Sequence, residues 1–150
     1  MDKAKVKSAL NDLLKRSHDA HKGYQEAARD VSDGALRSWL NNTANRRSIH
    51  ISDLQLQIGN LGGDADHGTS FLGDMHRAWI DFKSSIMDGD TVVLNECIRG
   101  EERALEDYDE VLKERNLNPT IANLLRKHRM NIQDDLNSLR SIEETLSVAQ

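Results

Sequence analysis

Apolar residues recur along this chain at alternating spacings of three and four, the period that turns one face of a helix toward its neighbours. Between Lys3 and Val31 the recurring positions are Leu10, Leu14, Ser17, His21, Tyr24 and Ala28, with Leu13, Ala20 and Ala27 on the flank. The spacing predicts a long amphipathic helix over 3–31, broken at Ser32-Asp33-Gly34, which also offers the next helix an N-cap. A second helix over 33–61 carries Leu36, Leu40, Thr43, Arg47, His50, Leu54, Gln57 and Leu61 on its inner seam, polar in the middle. A shift of register would turn Asp53 inward in place of His50. Gly62-Gly63 suits a left-handed cap at its end.

After a loop, residues 70–87 place Phe71, Met75, Trp79, Phe82 and Ile86 on one side of a shorter helix that stops at Asp88-Gly89. This helix is expected to pack across the others, with Trp79 and Phe82 the residues for an oligomer contact if they are not covered. A fourth helix over 90–115 has the seam Leu94, Ile98, Glu101, Leu105, Tyr108 and Leu112, one position of which is a carboxylate. Asn118-Pro119 then supplies a cap and a proline at the first helical position. The fifth helix, over 119–147, runs on Ile121, Leu125, His128, Ile132, Asp135, Leu139, Ile142 and Leu146.

The seams repeat. Adding 84 to positions 10, 14, 17, 21, 24 and 28 reproduces the fourth helix's seam, and the alignment brings YQEAA at Tyr24 onto YDEVL at Tyr108. Adding 85 to the second helix's seam reproduces the fifth's. Two duplicated helical hairpins joined by a long crossover follow from this, since self-similarity at a fixed offset marks a repeated structural unit.

Composition supports an all-α reading and adds limits. At 150 residues, 37% hydrophobic and 30% charged with one proline, the chain is expected to form one domain over 1–150 with a core of its own. Cys97 stands alone and flanks the fourth helix's seam, which fits a core side chain and leaves no disulfide within the chain. The net charge of −5 and the scattered Lys and Arg, with pairs such as Arg46-Arg47 expected on solvated faces, argue against nucleic acid as a partner. No apolar run reaches membrane-spanning length and no signal sequence opens the chain, so the expectation is a cytoplasmic protein without a membrane partner.

LNDLLKRSHDAHKGYQEAARDV at the start, LGGD at 61–64, HRAWIDFKSSIMDGD at 76–90 and ECIRGEERALEDYDEVL at 96–112 carry a resemblance to the ferritin-like superfamily. The chain more closely resembles an uncharacterised bacterial family of ferritin-like four-helix bundles of this length. The resemblance implies a ferritin-like up-down bundle with a short extra helix in the crossover. Metal-binding members of the superfamily supply a Glu from each of two helices and a Glu-x-x-His from each of the other two. Laid on these seams, that pattern finds Glu101 and His50, with Asp135 a possible oxygen ligand. It meets Ser17, Arg47 and Ile132 at the remaining carboxylate positions. A fixed guanidinium charge at Arg47 opposes a divalent cation where a carboxylate should neutralise it.

The same residues form a consistent set without metal. Arg47, His50, Glu101 and Asp135 are expected at one level of the bundle as a salt-bridge and hydrogen-bond network, with Tyr24, Tyr108, Thr43 and His128 in adjoining layers. His18 and His21 are expected on a solvated face, and His67 and His76 suggest nothing definite. No phosphate-cradling glycine loop, Ser-His-Asp order or activated cysteine appears. The expected protein is therefore a non-catalytic bundle without cofactor, self-associating or binding a protein partner, in a stress-related role that the family resemblance implies. The alternative is a di-iron or single-metal oxidase or storage protein, with His50, Glu101 and Asp135 holding iron or another divalent metal.

Overall fold

The structure, a computed structural model, describes residues 2–63 and 89–149. Four helices account for nearly all of these: α1 (Lys3–Asp30), α2 (Gly34–Asn60), α3 (Asp90–Leu112) and α4 (Pro119–Ala149). The described residues include no strand. The expected helix over 70–87, with Trp79, Phe82, His67 and His76 in or beside it, lies outside the described residues.

Helix ends fall where the backbone's orphan groups find partners. Asp33 accepts a hydrogen bond from the Leu36 amide at 2.8 Å and so caps α2. The Asn118 side chain does the same for Thr120 at 2.8 Å, ahead of Pro119. At the far end of α2, Gly62 takes φ +79°, and the Gly62 and Gly63 amides bond back to the Gly59 and Ile58 carbonyls. That paired return is the Schellman arrangement, and it requires a residue tolerant of positive φ. The third helix of the described set ends at Leu112, three residues short of the boundary expected at 115, with Lys113 as its cap.

Helix directions follow from the cross-links. The α1–α2 turn meets the start of α3, where the Asp90 carboxylate accepts from the amides of Ser32 (3.0 Å) and Asp33 (2.7 Å). Asp53 of α2 bonds His128 of α4 while Trp39, earlier in α2, reaches the Asp135 carbonyl, so those two helices are antiparallel. The order of directions is therefore up, down, down, up. The end of α2 and the start of α3 therefore lie at opposite ends of the bundle, about 40 Å apart for the 27 residues of α2. Neighbours around the bundle run α1, α2, α4, α3, with the packing between α1 and α3 the slightest.

The core consists of two apolar clusters. One gathers Leu10, Leu14, Leu54, Ile58, Ile121 and Leu125 near the α3–α4 turn. The other gathers Ala27, Leu36, Leu40, Leu94, Cys97 and Leu139 near the α1–α2 turn. Between them lies a layer of buried polar side chains, Ser17, Thr43, Arg47, His50, Glu101, His128 and Asp135. Cys97 is buried, as its flanking position on the seam leads one to expect.

Candidate functional site

Seam periodicity places one polar residue from each inner face at mid-bundle, and helix direction decides which of them meet. Arg47 on α2 is 2% exposed and Glu101 on α3 is fully buried, so neither charge has water to solvate it. They answer one another. The Arg47 Nη2 donates to Glu101 Oε1 at 2.5 Å, and Nη1 lies 3.5 Å from Asp135 Oδ2 on α4. The guanidinium thus stands between the two carboxylates, and its planar fork suits that position better than a lysine's single ammonium. Arg46, half-exposed, forms a further ion pair with Asp135 from outside. The set balances two guanidinium groups against two carboxylates, the condition under which buried ions are tolerated.

Tyr24 completes this half of the layer. Its hydroxyl donates to Glu101 Oε1 at 2.7 Å, and its ring meets Trp39 edge-on with centroids 5.2 Å apart. Trp39 is itself fixed by an Nε1 hydrogen bond to the Asp135 carbonyl at 2.8 Å. Burial pushes the Tyr24 phenol far above its ordinary pKa, and Glu101 raises it further, so it stays protonated and donates to that carboxylate. Burial also pulls the Arg47 guanidinium down, but Glu101, Tyr24 and Asp135 outweigh it and the group is held more firmly protonated than usual.

A second group sits one layer away. His128 on α4 is hydrogen-bonded at Nε2 to Asp53 Oδ2 (2.9 Å) and at Nδ1 to the Tyr108 hydroxyl (2.9 Å). Since the carboxylate only accepts, Nε2 carries the proton and Nδ1 accepts from the tyrosine. His50 stacks on His128 with centroids 3.9 Å apart and planes 17° from parallel, and its Nε2 accepts from Asn131 at 3.3 Å. Burial, then the neighbouring His128 and Arg47, press the His50 imidazole down to about 2. His128 is also lowered, mainly by burial, against the upward pull of Asp53. Both rings are neutral at neutral pH. Burial raises the Tyr108 phenol too, against Arg47 and the neighbouring Ser17 hydroxyl.

The duplication does not extend to these contacts. Tyr24 of α1 bonds Glu101 of α3, whereas at the positions that the offset of 84 makes equivalent Tyr108 of α3 bonds His128 and Ser17 of α1 donates to the Leu13 carbonyl at 2.9 Å.

Of the expected network, Arg47, Glu101, Asp135 and Tyr24 are brought together, with Tyr24 in direct contact and not in an adjoining layer. His50 departs from the expectation, because its ring faces His128 and Asn131 and makes no hydrogen bond to Glu101 or Asp135. Thr43 is buried with no hydrogen-bond partner on its hydroxyl. The alternative ligand trio His50, Glu101 and Asp135 does not converge, and no group of three or more His, Cys, Asp or Glu among the described residues is disposed to hold a metal ion. The reason is chemical. A guanidinium fills the space between the two carboxylates and would repel a dication there.

His18 and His21 are half-buried instead of solvated, with His21 Nδ1 donating to the Ala44 carbonyl at 2.8 Å. Three participants were not anticipated, Arg46, Asn131 and Trp39, while Asp53, expected inward only in place of His50, takes part alongside it. Asp53 and Arg46 flank the second helix's seam by one residue step toward α4, a position that periodicity alone reads as boundary.

The sequence pattern of a family described as a domain of unknown function, DUF2383, matches residues 5–114. The chain belongs to that family. The matched stretch spans α1, α2 and α3 and so holds Tyr24, Arg47 and Glu101, whereas His128 and Asp135 lie on α4 beyond it. No curated protein matches the chain. No helix among the described residues is long and apolar enough to cross a membrane.

Proposed function

We propose that the chain is a non-catalytic ferritin-like bundle in which the Arg47–Glu101–Asp135 cluster stands in the place of a di-iron centre, serving as a structural or protein-interaction module. The observation that carries this reading is the Arg47 guanidinium lying between two buried carboxylates. The position that would need negative charge to bind a dication holds positive charge, and the carboxylates are already compensated. The ferritin-like element of the reading rests on the duplicated seams and on the up, down, down, up order of the four helices. A role in bacterial stress responses rests on the resemblance alone, and self-association or a protein partner is the mode of action that suits a bundle whose buried charges, among the described residues, are tied to one another.

Elemental analysis of protein purified without chelator tests the metal half. Iron, manganese and zinc are expected well below one equivalent per chain. About two irons per chain with peroxide- or oxygen-dependent absorbance would overturn the reading in favour of an oxidase or storage protein. Size-exclusion chromatography with light scattering tests self-association, which a monomer persisting at high concentration would refute.

A further inference from the structure

From Ser38 to Asn60 every exposed position of α2 is Ser, Asn, Gly, Ile or Leu, although 30% of the chain is charged. The exposed positions of α3 from Arg99 to Glu110 make the contrast, since apart from Gly100 all of them are charged. A helix face that meets only water is rich in charge, whereas the centre of a protein interface is depleted of it. Ile49 and Leu56, seven residues apart and so on one face of α2, are 60% and 62% exposed.

Helix phase sets this face beside α4. Arg46, His50 and Asp53 reach α4. At about 100° per residue, Ile49 and Leu56 lie past them on the outward side, away from the core seam. On α4, Arg129 and Arg140 pair with Asp109 and Glu102 of α3, while Asn131 and Asp135 meet α2. Lys127, Met130 and Asp134 are exposed and fall on the outward side next to α2, with Met130 64% exposed. The exposed large apolar side chains among the described residues thus share one side of the bundle.

The two charges on this side are unanswered within α4. Positions three and four residues to either side of Lys127 and Asp134 hold only Asn, Leu, Met and Ser, so neither has a helical ion-pair partner. They stand seven residues apart with Met130 between them. A second copy of α4 laid antiparallel, about a two-fold axis level with Met130 and Asn131, sets Lys127 against Asp134 of the partner subunit, and does so twice. Asn131 meets His50 at 3.3 Å, so the same axis passes α2 beside Ile49. A charge close to that axis would face its own copy, which accounts for the uncharged face of α2. The 27 residues of α2 span about 40 Å and two neighbouring helices about 20 Å, so this side offers about 800 Å² per partner, the area a stable interface of standard size buries.

We propose that the outward α2–α4 face binds a second copy of this chain as a two-fold dimer, with Ile49, Leu56 and Met130 as its apolar contacts and two Lys127–Asp134 ion pairs across it. This names the surface for the self-association proposed above and rests on that part of the reading.

Sedimentation velocity of the full chain over a range of concentrations should show a monomer–dimer equilibrium. Ile49→Asp places like charges near the axis and should weaken dimerisation at least about 10-fold. The side chain is exposed, so the variant should keep the helical circular dichroism of the wild type. Lys127→Glu and Asp134→Lys should each weaken the dimer by about 10-fold, because each sets two like-charge contacts across the axis. Mixed in equal amounts, those two variants should form a heterodimer as tight as the wild-type dimer, with both ion pairs restored at reversed sign. Unchanged dimerisation of folded Ile49→Asp, or charge variants whose mixture associates no better than either alone, would overturn the proposal while leaving self-association through another surface. A wild type that stays monomeric would overturn both. The metal content predicted above does not enter this readout.

Discussion

Removing Arg47 should cost more than removing the acid it holds, and removing both should cost less than removing Arg47 alone. In Arg47→Leu, Glu101 loses its cation while remaining fully buried and keeps only the Tyr24 hydroxyl. Asp135 retains Arg46 on its other side. One stranded buried carboxylate puts the loss at about 3–5 kcal/mol. Glu101→Leu leaves Arg47 with Asp135, 3.5 Å away and free to close, and orphans the Tyr24 donor, a loss of about 1–3 kcal/mol. The double variant keeps neither the stranded acid nor the surplus cation, and its loss should fall below that of Arg47→Leu. Denaturant unfolding of the four proteins with a common m-value measures the cycle. In thermal unfolding, a chain of this size should show an Arg47→Leu midpoint lower by roughly 10 °C. Additive losses, within about 0.5 kcal/mol, would refute the idea that these residues act as one charge-balanced unit.

The neutral His50–His128 stack predicts acid sensitivity. Both folded pKa values lie below the unfolded value of about 6.5, so the unfolded chain binds more protons as pH falls; the stack's contribution is whole above about 6.5 and is lost progressively below it, for His50 down toward about 2. Between pH 7.5 and 5 the stability should decrease by about 2 kcal/mol for each histidine that stays neutral in the fold. His50→Phe should remove one such share, and an unchanged pH slope in that variant would contradict the assignment. Asp90 holds the α1–α2 turn against α3 through two backbone amides, so Asp90→Ala should lose about 1–2 kcal/mol. Hydrogen exchange at the Ser32 and Asp33 amides should accelerate more than that of core amides, and uniform acceleration would count against a local clamp.

Helix positions, caps and the buried seams were legible because each depends on residues within a turn or two. Glu101, Arg47 and Asp135 stood out because a charged residue at a seam position is conspicuous against Leu and Ile. Their partners were less legible. Arg46 and Asp53 look like boundary residues along α2, and only the approach of α4 converts one into a second cation for Asp135 and the other into the anchor of His128. Trp39 likewise reads as a flanking aromatic until its indole N–H is seen to reach the Asp135 carbonyl. His50 shows the opposite case. Its inward direction was correctly readable, but its company was not, because a step along the seam moves a side chain by one layer and the layer depends on the relative shift of two helices.

The sequence by itself thus determined that this chain makes two similar helical hairpins, where they cap, and that each buries a polar middle. Periodicity and capping are local, and repetition is visible without coordinates. Tertiary structure alone decided that the hairpins lie with α2 parallel to α3, that the polar middle divides into an Arg47–Glu101 group and a His50–His128 group, and that α1 and α3 pack the most loosely. Those features arise from the axial offset and separation of helices far apart in the chain, which side-chain volumes set jointly and no single segment encodes.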